Sequence, residues 1–333
     1  MQAIIPLAGK GTRLRPHTHS RPKPLVRVAN RPVLDHVLER LQGVGVDEVI
    51  CITGHLQDQI RHHLDTHHSE LERRYVEQVD QLGTADAIRL AEPYVEGPVL
   101  IVFVDTIFEA DLGVIERRPD DDGIVWAKEV EDYQRFGVIV TDEDGYMQRI
   151  IEKPTEPISK LANIGVYFIR DVDLMFEGIH HVMGGEPTMG EYFLTDAFQY
   201  MIDRGDRLWT ARVEGWWDCG KPGTLLETNR VLLEHGLANR PEGRGVVVHD
   251  PVRVEAGATL EAVEIGPNVS IARGAVVRRS RLADSIVGEG AVVEDSRLEG
   301  SIVGDHAEVR RVAGHLNVGD HSSVEGPDGP DEA

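Results

Sequence analysis

The chain has 333 residues, 41% of them hydrophobic, enough for one large domain and a smaller second one. Its 35 basic and 57 acidic residues give a formal net charge of −22, which argues against a nucleic-acid or anionic-membrane partner. No apolar run approaches the roughly 20 residues of a membrane span, and the two cysteines, Cys51 and Cys219, lie too isolated for a disulfide framework or a thiolate metal site. A cytoplasmic protein is expected, and the acid excess fits either a salt-rich cytoplasm or a genomic composition bias.

The first predicted strand, Ala3-Ile4-Ile5-Pro6, runs into Leu7-Ala8-Gly9-Lys10-Gly11-Thr12-Arg13-Leu14-Arg15-Pro16, followed by Arg21-Pro22-Lys23-Pro24-Leu25. Glycines at 9 and 11 let backbone N–H groups approach phosphate oxygens, while Arg13 and Lys23 supply charge that backbone dipoles lack. Leu14 stands where a dinucleotide fingerprint needs its third glycine, and no Gly-Lys-Ser/Thr follows, so neither common phosphate motif is present. Leu34, Val37, Leu38 and Leu41 form a helical stripe, and Glu48 to Thr53 reads as the next strand. His62, His63, His67 and His68 sit among charged residues and read as a solvated helix face rather than a metal site. Pro98 to Asp105 is apolar up to its last residue, as a parallel strand buried on both faces requires, and Asp105 then stands at the strand end where open α/β sheets meet ligands.

Leu-Ala-Gly-x-Gly-Thr-Arg-Leu-x-Pro with Pro-Lys-Pro-Leu resembles the opening signature of the sugar-1-phosphate nucleotidyltransferases, or nucleoside-diphosphate-sugar pyrophosphorylases, and the match continues in order to about residue 235. Many members begin the turn with Gly-Gly; Ala8-Gly9 resembles the variant of the UTP–glucose-1-phosphate uridylyltransferases. The resemblance implies a Rossmann-like α/β domain with a mixed, mostly parallel sheet over residues 1–240. It also implies Mg²⁺-assisted attack of a sugar-1-phosphate oxygen on the α-phosphorus of a nucleoside triphosphate. In that reading Arg13 and Lys23 are catalytic, and Leu7, Ala8, Gly9, Gly11, Thr12, Arg13, Gln78 and Gly83 bind the nucleotide. Gln78 is expected to offer both a donor and an acceptor to a pyrimidine edge, Gly83 to let backbone approach the base, and Thr84 otherwise to cap a helix.

Asp105 and Asp218, the latter in Trp216-Trp217-Asp218-Cys219-Gly220, resemble the metal carboxylates, and Gly137, Glu152, Lys153 and Asn163 the sugar-phosphate half. Val104 replaces a usual glycine, and its side chain is expected to crowd the nucleotide or shift the loop. Glucose-1-phosphate with dTTP is the preferred pair and UTP the next; a mannose-1-phosphate guanylyltransferase and a catalytically inactive sugar-nucleotide sensor remain alternatives.

After Leu237 the helical signal stops, and branched apolar residues recur roughly every six between glycines and acids, as in Ile286-Val287-Gly288-Glu289 and Ile302-Val303-Gly304-Asp305. Such strands bury their apolar side chains only when coils stack. This resembles the left-handed parallel β-helix of hexapeptide repeats carried by many family members, over residues 241–325, with a disordered tail at 326–333. Its exposed edge offers a surface for homo-oligomer formation.

Overall fold

The computed structural model describes residues 1–239, 241 and 244–327. Its contacts divide the chain into two compact units, Met1–Gly9 with Val37–Trp216 and Lys10–His36 with Trp217–Ala333. The segment that follows the first strand therefore belongs with the C-terminal residues, a grouping that composition along the chain does not announce.

The first unit is built on a mixed sheet. Strand Gln2–Pro6 lies between Val99–Val102 and Glu48–Thr53, parallel to both, and Glu48–Thr53 pairs in parallel with the edge strand Glu72–Glu77. All four residues of Val99–Val102 are buried, as expected of a central strand. This strand ends at Val102, earlier than its apolar run, so Val104 and Asp105 lie in the turn before strand Thr106–Glu109. On the other side the sheet turns antiparallel, with Leu161–Ile169 against both Val99–Val102 and Gly123–Glu129. The register of the second pairing shifts between Asn163 and Tyr167, where Gly165 adopts φ 77°. A β-bulge of this kind re-aims the side chains beside it.

Helices Thr84–Arg89, Val172–Met183 and Leu194–Arg204 bring Ala85, Ile88, Met175, Ile179, Phe198 and Met201 into one core with Ile4, Ile50 and Ile101 of the sheet. Burying each of the larger side chains contributes about 1.5–3 kcal/mol. Leu34, Val37, Leu38 and Leu41 are the buried stripe of helix Val33–Gln42, as their spacing predicts. Helix Gln57–His67 buries Ile60 and Leu64 and leaves His62 and His67 exposed. Cys51 and Cys219 are buried and form no disulfide, and burial pushes the Cys51 thiol up to about 12. Among the described residues no helix is long and apolar enough to cross a membrane.

The second unit contains a parallel β-helix with three faces. One face stacks Val252–Val254, Val269–Ile271, Ile286–Val287, Ile302–Val303 and Asn317–Val318. The long strand Thr259–Ile265 turns a corner, pairing with Val276–Arg278 through its first half and with Arg281–Ala283 through its second. Val252, Val269, Val287 and Val303 form part of the internal apolar stack. Buried serines stitch successive coils: the Ser280 hydroxyl accepts from Ser296 N at 3.0 Å, 16 residues on, and Ser285 accepts from Ser301 N at 3.1 Å. A coil is therefore shorter than three repeats of six. Tight corners shorten it, with Asp284, Asp295, His306 and Arg311 all at positive φ. The tail expected from residue 326 lies, from 328 onward, outside the described residues.

Helix Leu194–Arg204 ends at Gly205, and Asp206 follows beside Asp122 and Asp171 with a buried Oδ2 that finds no hydrogen-bond donor. Burial, then repulsion from the two carboxylates, pushes Asp206 up to about 6. Its folded-state pKa is raised, so stability is greatest when Asp206 is protonated and is lost as pH rises from about 4 to about 6. Asp206→Asn should raise Tm by about 1–3 °C at pH 7, discounted for the group's exposure, and flatten the stability change across that window; thermal melts at pH 4 and pH 7 measure both.

Candidate active site

The turn expected to meet phosphate is divided: from Lys10 onward it belongs to the second unit. Gly11, with φ 60°, opens the short 3-10 turn Thr12–Leu14, and its carbonyl accepts from Leu14 N at 2.9 Å and from the Thr18 hydroxyl at 2.7 Å. A Cβ added at Gly11 would lie 3.0 Å from Lys23 Cβ, so the glycine is what lets Lys23 draw alongside the turn. Lys23 begins its own turn, Lys23–Leu25, while Arg13 stays exposed. Asp218 closes strand Gly215–Asp218 ahead of helix Pro222–Leu232. Its Oδ1 accepts from Gly220 N at 2.7 Å and its Oδ2 from the Thr224 hydroxyl at 3.2 Å. A Cβ at Gly220 would lie 2.7 Å from Asp218 Oδ1 and 3.5 Å from Arg13 Nη2. Five expected residues, Gly11, Thr12, Arg13, Lys23 and Asp218, thus fall in one unit, with Arg13 and Asp218 flanking Gly220.

Leu7, Ala8, Gly9, Gln78, Gly83 and Asp105 belong to the first unit. Leu7 and Ala8 are buried, and the Ala8 carbonyl accepts from Gln81 Nε2 at 2.6 Å, which joins the first strand's end to the segment after Glu72–Glu77. Gln81 escapes sequence reasoning because nothing local marks it apart from other exposed glutamines. Gln78 is 7% exposed, and its Nε2 donates to Asp86 Oδ2 at 2.9 Å and to the Gly83 carbonyl at 3.4 Å. The amide nitrogen is thus engaged within the chain, and of the two amide atoms it is Oε1 that has no partner among these bonds. Gly83 lies against another segment of the chain. With φ 130°, its added Cβ would lie 2.3 Å from the Tyr192 carbonyl oxygen, so the close neighbour is backbone of this chain. Thr84 is no cap; its hydroxyl accepts from Leu194 N at 2.9 Å. Val79 and Leu82 are 80% and 44% exposed, an apolar surface beside Gln78. Val104 is buried at 4% exposure, and Asp105 beside it remains partly exposed.

Gly137, Glu152, Lys153 and Asn163, the residues expected at the sugar phosphate, also lie in the first unit. Asn163 Nδ2 donates to the Gly137 carbonyl at 2.9 Å, while its Oδ1 accepts from the Tyr167 hydroxyl and, at 3.3 Å, from Gly165 N. Burial pushes the Tyr167 hydroxyl well up, so it keeps the proton it donates. Asn163 thereby ties the Gly137 backbone to Tyr167 and Gly165. A Cβ at Gly137 would lie 2.3 Å from Asn163 Nδ2 and 2.8 Å from Glu152 Oε2, so the bare glycine is what lets both side chains close on its backbone. Glu152 accepts from the Thr195 hydroxyl at 3.2 Å, and Lys153 Nζ stands 3.8 Å from Glu152 Oε1 and 4.6 Å over the Phe193 ring. Burial raises the Glu152 carboxyl, with Lys153 opposing the shift. Thr195, Tyr167 and Phe193 are the residues sequence reasoning missed; Thr195 opens like any residue at a helix start, and only its neighbour in space distinguishes it.

A carboxylate with lone pairs to spare suits a hard divalent cation. Asp218 fits, since each of its oxygens accepts a single hydrogen bond of those recorded, and Asp105 fits as a partly exposed carboxylate after a buried strand.

The family model described as nucleotidyl transferase matches residues 2–235. The chain is 33% identical over 240 residues to UTP–glucose-1-phosphate uridylyltransferase AglF of Haloferax volcanii, covering 70% of this chain and 97% of that protein. It is 32% identical over 319 residues to a glucose-1-phosphate thymidylyltransferase of Streptomyces antibioticus, covering 86% and 87%. In fold it is similar to the crystal structure of a UDP-glucose pyrophosphorylase complexed with UDP-glucose, with a TM-score of 0.63, 21% identity, and coverage of 70% of this chain and 98% of that one. A strand ending in a glycine turn, the carboxylates after two strands and the match across most of the chain lead to one conclusion: the chain belongs to the nucleotidyl transferase family.

Proposed function

We propose that the chain transfers a nucleotidyl group from dTTP to glucose-1-phosphate with the help of Mg²⁺, releasing pyrophosphate. The observation that carries the choice of base is Gln78. With its Nε2 bonded to Asp86 and Gly83, it presents an acceptor, Oε1, which suits the single imino N–H of thymine or uracil. Guanine presents two adjacent donors and matches one acceptor less well. The long alignment with the Streptomyces thymidylyltransferase favours dTTP. The Ala8-Gly9 turn and the likeness to AglF support UTP as the second reading.

The reaction forms a bond between a sugar-phosphate oxygen and the α-phosphorus and breaks the bond to the bridging oxygen, which leaves on pyrophosphate. No protein nucleophile is needed, so the residues act by position and charge. Arg13 presents its planar fork of donors to the triphosphate and to the charge growing on the leaving group. Lys23 neutralises the approaching phosphates. Asp105 and Asp218 would hold Mg²⁺, which when bound draws off phosphate charge. Glu152 accepts from sugar hydroxyls, and Lys153 meets the sugar's phosphate as a point charge.

Pyrophosphate release measured with dTTP, UTP, GTP and ATP against a panel of sugar-1-phosphates should be at least about tenfold higher in kcat/KM for dTTP or UTP with glucose-1-phosphate than for either purine; purine preference would overturn the base assignment, and tight binding without release would favour the sensor. Asp218→Asn should lower kcat by about 10²–10³. Near-normal turnover in that variant would remove its metal role. For Glu152 the folded-state pKa is raised, so the group favours folding when protonated and opposes it once pH passes the raised value. Glu152→Gln should therefore keep or raise Tm at pH 7 while raising the sugar-1-phosphate KM about tenfold and leaving the triphosphate KM within about twofold.

A further inference from the structure

Three consecutive coils of the β-helix repeat a glycine followed by an acid at the same corner: Gly288-Glu289, Gly304-Asp305 and Gly319-Asp320. One oxygen of each aspartate ties the coils together. Asp305 Oδ1 accepts from Glu289 N at 2.9 Å, and Asp320 Oδ1 accepts from Asp305 N at 2.8 Å. The glycines make this possible, since a Cβ at Gly288 would lie 2.5 Å from Asp305 Oδ1 and one at Gly304 would lie 2.5 Å from Asp320 N. The second oxygens point elsewhere. Asp305 Oδ2 pairs with Arg21, Asp320 Oδ2 accepts from the Ser20 hydroxyl at 2.7 Å and stands 3.6 Å from Arg21, and Arg27 reaches Glu289 at 2.9 Å.

Stacked carboxylates repel, and the side chains of Asp305 and Asp320 are only 13% and 10% exposed, so solvent does little to relieve them. Arg21 and Arg27 supply the compensating charge. They also flank the Lys23–Leu25 turn in sequence, and Lys23 in turn packs against Gly11 at the start of the Arg13 turn. Further contacts along the same segment agree: His17 Nε2 meets Asn317 Oδ1 at 2.6 Å, and Asn30 Nδ2 donates to the Ile271 carbonyl at 2.9 Å.

We infer that the acidic corner of the β-helix is a positioning platform for the triphosphate turn, with Asp305, Asp320 and Glu289 holding Arg21 and Arg27 so that Arg13 and Lys23 keep one arrangement. The inference rests on the reading of Arg13 and Lys23 as triphosphate residues. It gives the C-terminal coils a part in the transferase reaction itself, and requires no separate activity of them.

The test uses the full chain and the variants Asp305→Asn, Arg21→Gln and Arg21→Lys. Asp305→Asn keeps the oxygen that ties the coils, and Arg21→Gln lies outside the β-helix, so protection of the coils in hydrogen exchange reports whether they stay folded. Amide exchange within residues 10–36 should rise about fivefold or more in Asp305→Asn and Arg21→Gln, with the coils unchanged. The triphosphate KM should rise about tenfold while the sugar-1-phosphate KM stays within about twofold, and Arg21→Lys should recover part of the loss. Unchanged exchange in residues 10–36 in both variants would overturn the proposal, and so would increased exchange with an unaltered triphosphate KM. A wild-type chain that releases no pyrophosphate with any triphosphate sinks the functional reading instead, and the exchange of residues 10–36 then decides by itself whether the coils hold the segment.

Discussion

A chain of net charge −22 that takes up anionic substrates depends on keeping the cations that meet them in a fixed place. Only six lysines are present, and those assigned to substrate are set by specific contacts. Lys23 is drawn to the Gly11 turn because no Cβ intervenes, and Lys153 is held between Glu152 and the face of Phe193. A mobile cation in so acidic a protein would find one of many carboxylates before it found a substrate. Position is thus what separates the functional cations from those that merely pair.

In the first unit one short stretch joins residues 78–84 to Glu152. Tyr192 backbone packs against Gly83 and donates to the Leu82 carbonyl, Leu194 N bonds Thr84, and Thr195 bonds Glu152. Residues 192–195 therefore touch Gly83 and Thr84 as well as Glu152. On the proposed assignment of Gln78 and Gly83 to the base and Glu152 to the sugar, a displacement of this stretch would reach both through backbone rather than through a chain of flexible side chains.

Much of this was legible in the sequence. The strand into a glycine turn, the apolar stripe of helix Val33–Gln42, the buried strand before Asp105 and the repeating coils all follow from local periodicity, which backbone geometry enforces within a few residues. The site residues expected from the family signature fall into coherent groups. What local pattern leaves open is where these side chains spend their polar atoms. Gln78 donates to Asp86, Asn163 donates to the Gly137 carbonyl and accepts from the Tyr167 hydroxyl, and Val104 is buried. A side chain's donors and acceptors go to whichever neighbour the fold supplies first.

The sequence by itself determined the family, the order of strand, glycine turn and cation, and the stacked coils, because these depend on spacing along the chain. Only the tertiary structure decided which atoms Gln78 and Asn163 have left to offer, and that residues 10–36 belong with the C-terminal coils. Arg21 and Asp305 are 284 residues apart, and His17 and Asn317 are 300 apart. No local pattern encodes a pairing at that distance; it exists only once two surfaces that each bury unlike charge are brought against one another.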